Sequence, residues 1–268
     1  MPIENSDLGD GIRLIKMSGK TAAQSFSREF LPEIANAIKS ALSDNQVKAI
    51  ILTGEGKFFS AGANIDDFKK SIDEGNATEL IRELTGILHP LIVRMRQSAT
   101  ICVAALNGAS AGGGLGLALA CDARIASPQA KMAASYSGMG LSPDGGTTWL
   151  LPRLVTDQVA RRFFLENEIW SAHQAAQLGA IDAIVEDDEL ITAAQQLAKR
   201  WSSWGAHSKE SIKHLLDVQS INDFETNFTK LVMNSKTSQK IVENADKSIR
   251  KNFSNIGKSS KIILESLD

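Results

Sequence analysis

Tyrosine occurs once in this chain, cysteine twice, histidine four times and proline six times among 268 residues. Each scarcity excludes something. Cys102 and Cys121 lie inside apolar runs, away from any CxxC pair and from histidines at ligand spacing. A disulfide framework or thiolate metal centre is therefore not expected, and both read as buried thiols suited to a reducing cytoplasm. His89, His173, His207 and His214 are too scattered to build a metal site, so none is expected. No Pro/Ser-rich stretch marks a linker. The opening MPIENSDLGDG lacks a basic segment followed by an apolar one, so no secretory signal is expected and the expected location is cytoplasmic. Net charge is -2, which gives no bulk attraction to nucleic acid or to anionic membranes, and neither is expected as a partner. The late basic residues Lys247, Arg250, Lys251, Lys258 and Lys261 are diluted by Glu243 and Asp246 and read as a solvated helical face.

What the chain does contain is an uncharged run from Ser98 to Cys121, with three glycines together at Gly112–Gly114. It is long enough to span a bilayer, and Gly108, Gly112 and Gly116 keep small-xxx-small spacing. Asn107, Ser110 and the glycines interrupt it, each glycine costing about 1 kcal/mol in a helix interior. Its TICVAALNG half reads as a buried strand, so a membrane helix is rejected.

Periodicity outlines the remainder. Gly11–Gly19 reads as a strand, and Phe26–Leu42 as a helix with Phe30, Leu31, Ile34, Ile38 and Leu42 on one stripe. Val47–Gly56 is a strand ending in a glycine turn. The loop Ser60–Ala63 runs into a helix starting near Asn64, and a long amphipathic helix fills Ala77–Gln97. Then strand TICVAALNG, loop ASAGGG and helix LGLALA repeat the strand–loop–helix pattern. Short strands follow at Asp122–Ile125 and Ile181–Val185. Helices continue after Asp187, at Ile191–Trp201 and Phe224–Val232. The fold class is α/β with an α-helical C-terminal region.

Three glycines together invite a phosphate cradle, but no lysine follows them as a P-loop requires. GxGxxG fails too, because Leu119 stands where the third glycine belongs. A helix opening at Gly112–Gly114 remains, its first N–H groups unpartnered and carrying the positive end of the macrodipole. Ala61-Gly62-Ala63 offers a second such loop. Together they could form an oxyanion hole, each donor being worth about 3 kcal/mol in rate. Tight helix–strand packing explains the same glycines equally well.

SAGANIDDF, VAALNGASAGGGLGLALACDARIAS and GLSPDGGTTWLLPRL together resemble the crotonase (enoyl-CoA hydratase/isomerase) superfamily, from about Gly11 through SAHQAAQLGAIDAIVEDDEL. The resemblance is closest to its enoyl-CoA isomerase and phenylacetyl-CoA ring-epoxide isomerase branch. It implies a spiral of ββα turns over residues 1–195 and a helical trimerisation region over 196–268. It further implies a homotrimer or hexamer, and a thioester enolate whose oxyanion is held by the N–H groups of Ala63 and Gly113. Coenzyme A would enter as part of the substrate, near Ala61, Ala63, Ile65 and Gly113, with no separate cofactor. Ala22 and Ala23 in SGKTAAQSF and the loosely matching C-terminal third depart from the family. The carrier could thus be a carrier protein's phosphopantetheine instead of free coenzyme A.

The hydratase pair of glutamates is missing: Gly116 and Tyr136 stand at the two positions. Asp144, in LSPDGGTTW, is a single carboxylate in an isomerase-like turn, and one base can move a proton between two carbons. It also suits a helix N-cap, which would lower its pKa and weaken it as a base. The leading expectation is an enoyl-CoA isomerase using Asp144. Hydration, another crotonase-type lyase or epoxide reaction, and a catalytically silent acyl-CoA-binding homologue stay open. Phe58, Phe59, Phe68 and Trp149 read as core, with an acyl pocket as the alternative, and His173 reads as an ordinary helix residue.

Overall fold

The computed structural model describes residues 1–139 and 141–217. In chain order the elements are β1 (Ile3–Asp7), β2 (Ile12–Met17), α1 (Gly19–Ala23), α2 (Leu31–Ser43), β3 (Ala49–Thr53), β4 (Phe58–Ser60), α3 (Ile65–Asp73) and α4 (Ala77–Gln97). They continue with β5 (Ile101–Leu106), β6 (Ala109–Ala111), α5 (Gly113–Ala120), β7 (Ala123–Ala126), β8 (Lys131–Ala133), α6 (Thr147–Leu154) and α7 (Asp157–Leu165). The last are β9 (Ile169–Ser171), α8 (Ala172–Gln177), β10 (Ala183–Ile184) and α9 (Leu190–Ser202). The chain divides into two units, 1–211 and 212–268. Of the second, residues 212–217 are described and are helical. The expected helix at Phe224–Val232 and the late basic residues lie outside the described residues.

A six-stranded sheet runs β1-β2-β3-β5-β7-β10, antiparallel at β1–β2 and parallel thereafter. Parallel strands are covered on both faces, and β3, β5 and β7 are accordingly buried throughout. Alternation then sorts their side chains into two cores. Ile50, Leu52, Cys102, Ala104 and Leu106 face the larger core with α2 and α4. Ala49, Ile51, Val103, Ala105 and Ile125 face Leu190, Ala194, Leu197 and Ala198, a helical stripe on α9. Full burial of a side chain such as Ile51 contributes roughly 1.5–3 kcal/mol.

A second sheet, β4-β6-β8-β9, runs parallel until β9. Its three-residue strands are too short for periodicity to reveal. Ala109–Ala111, expected as loop, is therefore a strand in the middle of this sheet. The uncharged run 98–121 is thus split among β5, β6 and α5, and no helix among the described residues is long and apolar enough to cross a membrane. The helix expected from Phe26 begins only at Leu31, with Pro32 in its first turn. Phe26 instead bridges in parallel to Ala63, its N–H donating to the Gly62 carbonyl at 2.9 Å.

Asn107 ties the two sheets together where β5 ends. Its side-chain oxygen accepts the Gly54 N–H at 2.9 Å, and its amide nitrogen donates to the carbonyls of Gly56 and Phe58, both at 3.1 Å. Truncation leaves those backbone groups unsatisfied, at about 1–3 kcal/mol each where water cannot enter. Asn107→Ala is expected to lower thermal stability by several degrees in scanning calorimetry, and Asn107→Asp, which keeps the acceptor, by less.

Candidate active site

β4 and β6 are adjacent and parallel, so both deliver their following loops to the same edge of the small sheet. That is where open α/β sheets place ligands. Gly62 has φ of +82°, and a Cβ there would lie 2.6 Å from the Ala111 carbonyl oxygen and 3.6 Å from Gly112 Cα. The two loops therefore touch through backbone, one residue before Ala63 and Gly113 respectively. α1 braces the first loop, with the Ala61 N–H donating to the Ala22 carbonyl at 2.8 Å. Neither the Ala63 nor the Gly113 N–H has a backbone acceptor among the described residues. Gly113 opens α5, adding the positive end of that helix.

Asp144 lies in the turn before α6. Its carbonyl accepts the Thr147 N–H at 3.1 Å and the Thr147 hydroxyl at 2.9 Å. The helix N-cap is Gly146, in the left-handed conformation, with no side-chain cap bond. The Asp144 carboxyl is thus not the cap that sequence allowed. Its Oδ1 accepts the Tyr136 hydroxyl at 3.0 Å. The residue as a whole is half-buried, and desolvation of its carboxyl raises the pKa from 3.8 to about 6 although the Tyr136 hydrogen bond pulls the other way. Burial, and next the Asp144 charge, push the Tyr136 phenol well above its ordinary value, so it stays a donor.

Three glycines bring this turn onto the first turn of α5. A Cβ on Gly145 would sit 3.3 Å from Gly116 Cα and 3.8 Å from Gly113 Cα. Conversely, a Cβ on Gly116 would lie 2.6 Å from the Gly145 carbonyl oxygen. The space for a side chain at position 116 is therefore filled by backbone.

Sequence reasoning missed His89. It is buried on α4, and its Nε2 accepts the Gly145 N–H at 3.2 Å. Desolvation lowers its pKa to about 3, so the ring is neutral. A signal was available: His89 falls on the apolar stripe Leu84, Leu88, Leu91, Ile92, where a polar residue needs a reason. Of the aromatics, Phe59 and Phe68 are buried core, while Phe58 and Trp149 are only partly covered. Trp149 carries the Arg153 guanidinium 4.1 Å from its ring centroid. His173 lies on α8 as an ordinary helix residue. Both cysteines are buried thiols outside any disulfide, and no metal-ligand cluster occurs among the described residues.

Comparison with known proteins gives the class. The enoyl-CoA hydratase/isomerase family matches residues 7–253. The chain belongs to this family, the crotonase superfamily, whose members act on coenzyme A thioesters. It is 33% identical to the 1,2-epoxyphenylacetyl-CoA isomerase of Escherichia coli K12, over 83% of this chain and 82% of that protein. It is 26% identical to an Arthrobacter 4-chlorobenzoyl coenzyme A dehalogenase, over 81% and 78%. An enoyl-CoA hydratase structure from Polaromonas superposes with a TM-score of 0.73 at 26% identity, covering 98% of this chain and 97% of that one.

Placing a glutamate at position 116, the first hydratase position that the sequence resemblance implies, tests whether the space is closed. Gly116→Glu is expected to unfold about 2–12 °C below the parent, as overpacking by 1–3 kcal/mol implies. It is also expected to show no hydration of crotonyl-CoA in the absorbance assay.

Proposed function

We propose that this protein is an enoyl-CoA isomerase that shifts a double bond through a thioester enolate, with Asp144 as its single base. The supporting observation is one carboxyl raised to about 6 in a turn packed against Gly113, with Gly116 and Tyr136 where a hydratase carries glutamates. In a β,γ-enoyl thioester, Asp144 takes a proton from the α-carbon. The electron pair moves into the carbonyl, whose oxygen gains negative charge facing the N–H groups of Ala63 and Gly113. Returning the same proton to the γ-carbon closes the cycle and leaves the α,β-enoyl thioester. Backbone donors supply charge stabilisation at the oxygen, which lets so weak a base work.

Tyr136 occupies Oδ1, leaving the second carboxyl oxygen for the proton. Coenzyme A is taken as part of the substrate, held near Ala61, Ala63, Ile65 and Gly113. The family's trimer or hexamer and a cytoplasmic location belong to the same proposal. A second reading, isomerisation of a ring epoxide on a phenylacetyl thioester, is favoured by the name of the E. coli relative.

Asp144→Asn is expected to lose at least about 10³-fold in kcat on a β,γ-enoyl-CoA while still binding acyl-CoA in calorimetry. Retained turnover would sink the assignment. A base must be ionised, so kcat/KM should fall as pH drops through about 6. Because the Tyr136 hydrogen bond lowers the Asp144 pKa, Tyr136→Phe should move that acid limb upward.

Stability should run the opposite way. A carboxyl whose folded pKa exceeds its unfolded value favours the folded state below about pH 4, and that advantage is lost as pH rises through 6. Asp144→Asn is therefore expected to gain stability over the parent at pH 8 relative to pH 4 in thermal melts.

A further inference from the structure

Three anchors hold the turn that carries Asp144. Thr147 takes the Asp144 carbonyl, and Tyr136 takes Oδ1. The third comes from α4: His89 Nε2 accepts the N–H of Gly145, the residue directly after Asp144. Leu88, the preceding residue on α4, packs against the same glycine, its Cδ2 lying 3.2 Å from where a Cβ would stand. An imidazole accepts at Nε2 only when that nitrogen is unprotonated, with the proton of the neutral ring on Nδ1. Burial keeps the ring in that neutral state down to about pH 3, so the acceptor survives at any working pH.

Gly145 has φ of +57° and Gly146 of +69°. A turn built from two glycines in this region has little stiffness of its own, and rotation about it would swing the Asp144 carboxyl toward water. An external acceptor on the intervening N–H restrains that rotation. We infer that His89 is a positioning residue for Asp144, its neutral Nε2 holding the Gly145 amide and thereby fixing the depth of the carboxyl above the first turn of α5. This rests on the reading of Asp144 as the base.

Among the described residues, the elements around the carboxyl bring few ionisable groups toward it. Tyr136 touches it directly. α5, with the sequence GGLGLALA, brings no ionisable group, and on α6 Arg153 is stacked over Trp149. On α4, Glu83 and Arg96 pair with Arg28 and Asp122.

Two amides separate positioning from mere packing. His89→Gln puts an oxygen close to the place of Nε2, whereas His89→Asn is equally polar but one bond shorter. In the Asn variant kcat should fall about tenfold or more with KM within about twofold, and the Gln variant should keep most of the parent kcat. Aspartate-13C-labelled protein supplies a readout independent of the reaction. The Asp144 signal, identified by its loss in Asp144→Asn, should titrate near 6 in the parent. It should move toward the ordinary carboxylate range in His89→Asn and stay near the parent value in His89→Gln. An unmoved Asp144 titration in the Asn variant overturns the inference. If the Asn variant does not fold, the Gln variant decides: a parent-like titration supports the role and a displaced one overturns it. A titration displaced in His89→Asn, with a parent enzyme that moves no double bond, would overturn Asp144 as base and leave the His89 anchor standing.

Discussion

The first turn of α5 rests on the turn Asp144–Gly146 through bare backbone, with Gly116 and Gly145 closer than any pair of side-chain-bearing residues could come. This contact sets the geometry around it. It places the turn that carries Asp144 beside Gly113, and it fills with backbone the space that a side chain at position 116 would need. It also fixes which groups can reach the turn from outside, namely Tyr136 along the chain and His89 from α4. The glycines themselves are costly in a helix and a turn. Their cost is offset by the packing around them, since α5 is buried at every position.

Electrostatics within the site is a balance of opposed effects. Desolvation raises the Asp144 pKa, and the Tyr136 hydroxyl lowers it by bonding the ionised form. The net value near 6 leaves a carboxylate that is ionised at neutral pH yet retains affinity for a proton. His89 shows the same physics with the opposite sign: burial suppresses the charged form and leaves a neutral acceptor. A family that includes isomerases, hydratases and a dehalogenase among its relatives thus has its reaction set by few side chains on one scaffold.

Long elements were legible in the sequence because periodicity had room to speak. α4 runs from Ala77 to Gln97 as its apolar stripe requires, and β3 and β5 follow their β-branched, fully apolar runs. The small sheet was not legible: Phe58–Ser60, Ala109–Ala111, Lys131–Ala133 and Ile169–Ser171 each offer three residues, and their pairing is decided by partners far along the chain. Phe26 was drawn into a helix by its spacing, whereas its backbone is taken by the Gly62 loop. At the site, glycine composition suggested two loops with unpartnered amides, and the two loops meet at Gly62 and Ala111. His89 escaped because its partner is a backbone N–H 56 residues away, which no local pattern encodes.

The two amides of the proposed anion hole differ in what their own residues tolerate. Position 63 already carries a Cβ and is only partly buried, so a larger side chain there keeps the N–H while reshaping the wall beside it. Position 113 has no such latitude, because a Cβ would meet the Phe26 ring at 2.8 Å and Leu88 at 3.3 Å. One lip of the hole is open to drift in substrate shape, and the other is frozen by the core behind it.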